Sequence, residues 1–307
     1  MKKRKTIILL SLLLLLSCGV YLSLTYYHAY QKAAKQKILW EKRKAGWTAL
    51  KQILAEQITK FQGETGILIK DIDANWVMSF NKEKLFPSAS LAKIPIMASC
   101  FRAAEEKKLT LDCCVKLKST DKLSGSGILK DMPAGKEFKI EELIGYMIYN
   151  SDNTAANILT NIVGMNYLND SFRTFGLKNT NLSRKIADFQ SRNMGVENYT
   201  TAEDMALILE EMYRRNLINN TISEKCLELM KLQRINNRIP KYLPPGITVA
   251  HKTGLERSIC HDVGIVFTDK GNFIICVLTK HTGINSKPAK DFIAKVALLT
   301  YEYFKLL

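Results

Sequence analysis

The chain has 307 residues, 47% hydrophobic and 24% charged, enough to bury a substantial core as one large domain or two closely packed subdomains and too apolar for disorder to be the default. Its formal net charge is +16, yet ten Lys or Arg stand against one Glu through residue 46, so +9 of it sits in the N-terminal arm and +7 in everything after. No basic stripe interleaved with aromatics follows, which excludes nucleic acid as the expected partner and leaves anionic head groups or acidic wall polymers for the arm.

In chain order, Lys2, Lys3, Arg4 and Lys5 precede an apolar run from Ile7 to Leu24. A charged opening before such a core is an export signal, and the positive side stays cytoplasmic, so the remainder is expected outside the membrane. Three fates are open for residues 1–25: an uncleaved membrane anchor, a lipoprotein modified at Cys18 within the lipobox-like Leu16-Ser17-Cys18-Gly19, or ordinary cleavage. Residues 26–46 are polar, basic and helical in character, a juxtamembrane linker. Leu50, Ile53, Leu54, Ile58 and Phe61 then fall at helical spacing over about 47–61, and Gly63 stops that helix. Two short strands follow, 66–69 and 76–80, joined by the turn-rich Asp71-Ile72-Asp73-Ala74-Asn75.

Helices are predicted over about 91–107, 140–149, 153–163, 202–214 and 223–232. Three strands come next, 247–253, 262–268 and 273–279, with Asp269-Lys270-Gly271-Asn272 as the last hairpin, and a helix over about 289–303 closes the chain. Strands from both ends can join in one antiparallel sheet with a helical subdomain inserted between them, an α+β fold with a cleft where the two parts meet. The seven cysteines (18, 100, 113, 114, 226, 260 and 276) form no Cys-x-x-Cys pair and accompany only four histidines. They read mostly as small core residues rather than a disulfide framework or a zinc site.

Three short motifs bear on chemistry. Ser90-Leu91-Ala92-Lys93 opens an apolar helix, which places Lys93 one turn beyond Ser90 on the same side. A helix N-terminus offers N–H groups to a developing oxyanion, and a buried amine near a second cation can serve as a base. Alone, such a tetrapeptide is more often a capping serine with an exposed lysine. Ser151-Asp152-Asn153 joins two predicted helices, where any of the three could be a cap. His251-Lys252-Thr253-Gly254 ends a strand; a lysine beside a hydroxyl can hold a carboxylate, and a glycine clears a wall for a ligand. Its bland alternative is a strand end with a surface lysine.

Together, in this order and in these contexts, the motifs resemble those of the class A β-lactamases and penicillin-binding proteins. The intervals of 61 and 101 residues between Ser90, Ser151 and Lys252, and the stretches Phe86–Ser90, Ser151–Asn157 and Thr200–Ala206, are similar to class A sequences too. The resemblance runs from about Trp47 to the end, so 47–307 is expected to be a single β-lactamase-like catalytic domain, monomeric. It implies that Ser90 is acylated, that Lys93 takes its proton directly or through water, and that Ser151 protonates the leaving nitrogen. Asn153 would bind the substrate's side-chain amide and fix Lys93, Lys252 and Thr253 would hold the substrate carboxylate beside Gly254, and the N–H groups of Ser90 and Leu255 would form the oxyanion hole. No metal or organic cofactor is implied.

One departure stands out. The family's deacylating glutamate lies in a loop before the Thr-Thr stretch, here about 182–199. Ungapped counting back from Met205 puts Lys185 at its position, and no Glu-x-x-x-Asn pattern occurs. Asp188 is the nearest carboxylate able to substitute, though loop aspartates usually bond local backbone; Glu197 falls too late. The expected activity is opening of β-lactams through a Ser90 acyl-enzyme with slow deacylation. The alternatives are a D,D-peptidase acting on acyl-D-alanyl wall peptides and a membrane-anchored, non-catalytic penicillin sensor.

Overall fold

The computed structural model describes residues 2–306; several side chains between residues 2 and 12, including Lys2, Arg4, Lys5 and Ile7 of the expected export signal, lie outside the described residues. Helix α1 (Lys2–Thr59) continues through the predicted linker. Two compact units divide within it, one reaching Gln52 and one running from Ile53 to Leu306. In the first, Leu13–Leu16, Val20, Leu22 and Leu24 are exposed on the helix surface. Among the described residues no helix is long and apolar enough to cross a membrane.

In the second unit the chain runs β1 (Gly63–Asp71), β2 (Trp76–Phe80), β3 (Phe86–Pro87), α2 (Lys93–Glu105), β4 (Cys114–Lys116), β5 (Glu137–Lys139), α3 (Ile140–Tyr149), α4 (Asn153–Val163), α5 (Met165–Thr174) and α6 (Phe189–Asn193). It continues through β6 (Tyr199–Thr200), α7 (Ala202–Tyr213), α8 (Asn220–Lys231), β7 (Thr248–Glu256), β8 (Ile259–Phe267), β9 (Phe273–His281) and α9 (Lys287–Lys305). Five strands form one antiparallel sheet in the order β2-β1-β9-β8-β7. The N-terminal hairpin thus joins the three C-terminal strands, and the helices between them make the inserted subdomain.

The β9 sequence reads as a continuous apolar run because both of its faces are buried. Phe273 stacks on Phe304 of α9 with ring centroids 4.8 Å apart. The alternate residues Ile274, Cys276 and Leu278 belong to the main core, with Leu91, Ile94 and Met97 around α2 and Leu143, Ile144 and Met147 from α3. A period of two thus divides one strand between two packing layers. Helix starts follow local chemistry: Thr201 accepts the Asp204 N–H at the head of α7, and Asn219 accepts the Ile222 N–H at the head of α8. All seven cysteines are free thiols; Cys100, Cys226, Cys260 and Cys276 are buried, and Cys18, Cys113 and Cys114 are exposed.

Candidate active site

The Ser90 segment departs from the simple helix start expected of it. Residues Ala89–Ala92 form a 3-10 turn, and the α-helix proper begins at Lys93. Ala89 has φ 45°, a left-handed conformation that costs a side-chain-bearing residue about 1–2 kcal/mol. Leu91, Ala92, Ile94 and Ile96 are buried around this turn, which leaves Ser90 partly exposed at the surface of the packed body.

Lys93 is fully buried, so the surface-lysine alternative does not hold. Its Nζ donates to Ser151 O at 2.6 Å, to Asn153 Oδ1 at 2.7 Å and to Ser151 Oγ at 3.3 Å. Lys252, also fully buried, donates from Nζ to Ser151 Oγ at 2.8 Å and to Thr253 O at 3.0 Å. Two amines from separate parts of the fold therefore converge on one hydroxyl. Burial pushes Lys93 down to about 7, with Asp152 opposing. Lys252 is lowered well below the ordinary lysine value, first by burial and then by repulsion from Lys93, while Asp262 opposes and Arg238 adds to the lowering. Two ammonium groups sharing one acceptor resist being charged together.

Ser151 reaches this position because it too is left-handed, at φ 53°. The next residue secures it. Asp152 caps α4 by accepting the Ala155 N–H at 2.9 Å, and its other oxygen accepts the N–H groups of Ile128 and Leu129 at 2.6 and 2.9 Å. A Cβ on Gly127, whose φ is 115°, would lie 2.2 Å from that oxygen, so only glycine lets the loop close on the carboxylate. Asn153 meets the same loop, its N–H donating to Ser126 O at 3.1 Å and its Nδ2 to Ser124 O at 3.3 Å.

Strand β7 brings Lys252, Thr253, Gly254 and Leu255 along the free edge of the sheet. Alternate N–H groups on such an edge lack a ladder partner, which is what the role implied for Leu255 requires. A Cβ on Gly254 would lie 3.3 Å from His261 and 3.4 Å from Cβ of Ala89. The glycine lets β7 approach the Ala89–Ala92 turn, a closer neighbour than the ligand wall read from sequence.

The loop about 182–199 carries no free carboxylate. Asp188 caps α6: its oxygens accept the Ser191 N–H at 3.0 Å and the Ser191 hydroxyl at 2.7 Å, and these bonds hold its proton affinity below the usual range. Glu197 is held by buried Arg184 at 2.6 Å and by Arg192 at 3.3 Å. Lys185, reached by ungapped counting, is exposed; the inward residue is Ile186, whose backbone N–H and C=O are both bonded at 3.0 Å by the Asn157 side chain. Among the described residues no Asp or Glu hydrogen-bonds to Lys93, Ser151 or Lys252, and no group of three His, Cys, Asp or Glu is placed to hold a metal ion.

Sequence reasoning passed over several groups here. Arg238 is buried, with Nε donating to Cys260 Sγ at 3.3 Å and Nη1 to Asn237 Oδ1 at 3.1 Å. His251 Nδ1 lies 2.9 Å from Asp262 Oδ1, and His261 Nε2 lies 2.9 Å from Pro87 O. Arg238 and His261 belong to no short motif, and His251 enters the sequence reading only as the first residue of His251-Lys252-Thr253-Gly254. The signal for the two histidines is polarity inside otherwise apolar strands, as in Cys260-His261-Asp262 on β8; Arg238, just before the 3-10 turn Ile239–Tyr242, carries none.

The model of the β-lactamase enzyme family matches residues 49–304. The chain belongs to the β-lactamase enzyme family. Within that family it is 26% identical over 258 residues to β-lactamase VEB-1 of Pseudomonas aeruginosa, across 78% of this chain and 85% of that one. It is similar to the crystal structure of a β-lactamase from Sphaerobacter thermophilus DSM 20745, with a TM-score of 0.78 and 27% identity over 85% of this chain and 98% of the other. A variant of PBP-A, solved as an acyl-enzyme complex with penicillin G, superposes with a TM-score of 0.78 at 25% identity, over 85% of this chain and 97% of that one. The expected α+β architecture is therefore that of this family of serine hydrolases.

Proposed function

We propose that this β-lactamase-family enzyme opens β-lactams, or related acyl-D-alanyl amides, by acyl transfer to Ser90, and that the acyl-enzyme breaks down slowly. The observation that carries the reading is Ser151 Oγ held between Lys252 and Lys93, the latter opening the helix that follows the Ser90 turn. In the acylation step the neutral Lys93 amine takes the Ser90 hydroxyl proton, directly or through water, as Oγ attacks the carbonyl carbon. The backbone N–H groups of Ser90 and Leu255 receive the oxyanion. As the C–N bond breaks, Ser151 gives its proton to the departing nitrogen and is reprotonated by the ammonium of Lys93. Lys252 and Thr253 bind the substrate carboxylate, Gly254 lets β7 lie close, and Asn153 orients Lys93 and the substrate amide. No cofactor enters any step.

Hydrolysis of the ester needs a base aimed at water. Asp188 and Glu197 are both engaged elsewhere, and this favours slow deacylation as well as the second reading, a D,D-peptidase or penicillin-binding protein inhibited by β-lactams. Intact-protein mass spectrometry of the soluble domain mixed with penicillin, followed over time, tests both. A lasting adduct is expected. Asp188→Asn is expected to change neither its formation nor its decay, and to shift stability by no more than about 0.5 kcal/mol, since an asparagine oxygen can still accept the Ser191 N–H. Absence of any adduct in the parent supports the non-catalytic sensor instead, and rapid loss of the adduct requires another base in the loop.

We also propose that the catalytic domain is exported and held at the outer side of the cytoplasmic membrane by residues 1–25, as an anchor or through Cys18. The support is the basic opening followed by an apolar run. Protease added to intact protoplasts is expected to remove the domain, and full protection sinks this proposal.

A further inference from the structure

Ser90 is presented by a strained turn, and strain of that kind persists only where the surroundings over-determine it. On one side β3 pairs with β6, and the Ser88 N–H donates to Asn198 O at 2.7 Å. On the other side stands His261 of β8, fully buried, with Nε2 2.9 Å from Pro87 O. Among the described residues it is the one side chain that hydrogen-bonds to Phe86–Ala89. Its Nδ1 accepts the Thr279 N–H of β9 at 3.1 Å, which leaves the ring proton on Nε2 and aims it at Pro87. Thr279 Oγ1 in turn donates to Cys260 O at 2.6 Å, fixing the backbone beside the ring. The ring meets Phe86 edge-on at 5.8 Å and lies behind Gly254. Burial drives its proton affinity down to about 4, so the ring stays neutral at physiological pH.

We propose that His261 is a positioning residue for acylation: its neutral ring clamps Pro87 to β8 and β9, holding the left-handed Ala89 so that Ser90 Oγ and the Ser90 N–H face the substrate carbonyl. It touches no reacting atom, and its effect passes through the backbone of residues 87–89. This rests on Ser90 being the nucleophile. A displacement of about 1 Å at a reacting atom lowers rate far more than it lowers binding. Loss of the clamp therefore slows the covalent step and leaves non-covalent recognition by Lys252 and Thr253 in place.

The test is stopped-flow acylation by a chromogenic cephalosporin over a concentration series. His261→Phe, which fills the space without either bond, is expected to lower the limiting acylation rate about tenfold to a hundredfold, with half-saturation moving less than about threefold. His261→Gln, whose amide can reach Pro87 O, is expected to recover most of that rate. If the phenylalanine variant does not fold, His261→Asn replaces it, since that amide is too short to bridge Pro87 and β9. Nitrogen-15 NMR of the parent ring, with no substitution, is expected to show the Nε2–H tautomer. Folded variants that acylate at the parent rate, a raised half-saturation with an unchanged limiting rate, or an Nδ1–H tautomer each overturn the proposal. A parent that forms no adduct on Ser90 by peptide mapping overturns the nucleophile reading itself, and the two failures are told apart by that mapping.

Discussion

Ser90→Ala is expected to abolish covalent labelling by fluorescent penicillin while leaving the thermal midpoint within a few degrees of the parent. Both halves follow from where the hydroxyl sits. Ser90 is partly exposed at the edge of a packed turn, and among the described residues its hydroxyl makes no hydrogen bond. Removing Oγ therefore orphans no buried partner, and the stability change stays within about 0.5 kcal/mol. Covalent chemistry is expected to have no substitute: Ser151 Oγ, another hydroxyl of the motifs, is already engaged by two lysines. Gel fluorescence and a melting curve read the two effects separately. An alanine variant that labels as fast as the parent places the nucleophile elsewhere.

The acylation rate is expected to rise with pH to a plateau above about 7, and Lys93→Met is expected to lower that plateau about a hundredfold to ten-thousandfold. The sign follows from the charge of the active form. A base must be neutral, and burial brings the Lys93 amine down to about 7, so below that value each unit of pH removes about nine-tenths of the competent enzyme. Above it the amine is free and the rate levels off. Methionine fills a comparable volume without a proton acceptor, and Lys252 remains to recognise a carboxylate, so the loss should fall on the limiting rate rather than on half-saturation. A profile flat from pH 5 to 9 in the parent rules out Lys93 as the base that titrates.

Much of this site was legible in the sequence, for a physical reason. Ser90 and Lys93 are one turn apart, Ser151 and Asn153 flank a helix cap, and Lys252 to Leu255 follow one strand, so each group is a local pattern that periodicity can place. Helices α3 and α4 begin and end where apolar spacing and the Ser-Asp-Asn junction put them. The failures are as local as the successes. Helix α6 and the two-stranded pairs β3–β6 and β4–β5 went unseen, since they are short and held by tertiary hydrogen bonds rather than by pattern. Helix α5 was missed although it is as long as α3 and buries Leu168 and Phe172 at helical spacing. Lys185 was assigned to the place of the missing glutamate by counting. The pair of hydrogen bonds with the Asn157 side chain, 29 residues from Ile186, instead accompanies an inward Ile186 and a solvent-facing Lys185. Asp188 shows the opposite case: loop aspartates usually bond local backbone, and this one accepts the Ser191 N–H and hydroxyl.

The sheet order has a consequence for how the molecule comes into being. Strand β1 lies between β2, its hairpin neighbour, and β9, which ends at His281. A ribosome that has made β1 and β2 must add the entire helical insert and two more strands before the second partner exists. Contacts this distant in sequence form late, because loop closure precedes their reward. Residues 252–255 lie on β7, made after the whole helical insert, so a chain that stops before it lacks one of the three motifs. Synthesis thus brings the last of the three motifs into being only when most of the polypeptide exists.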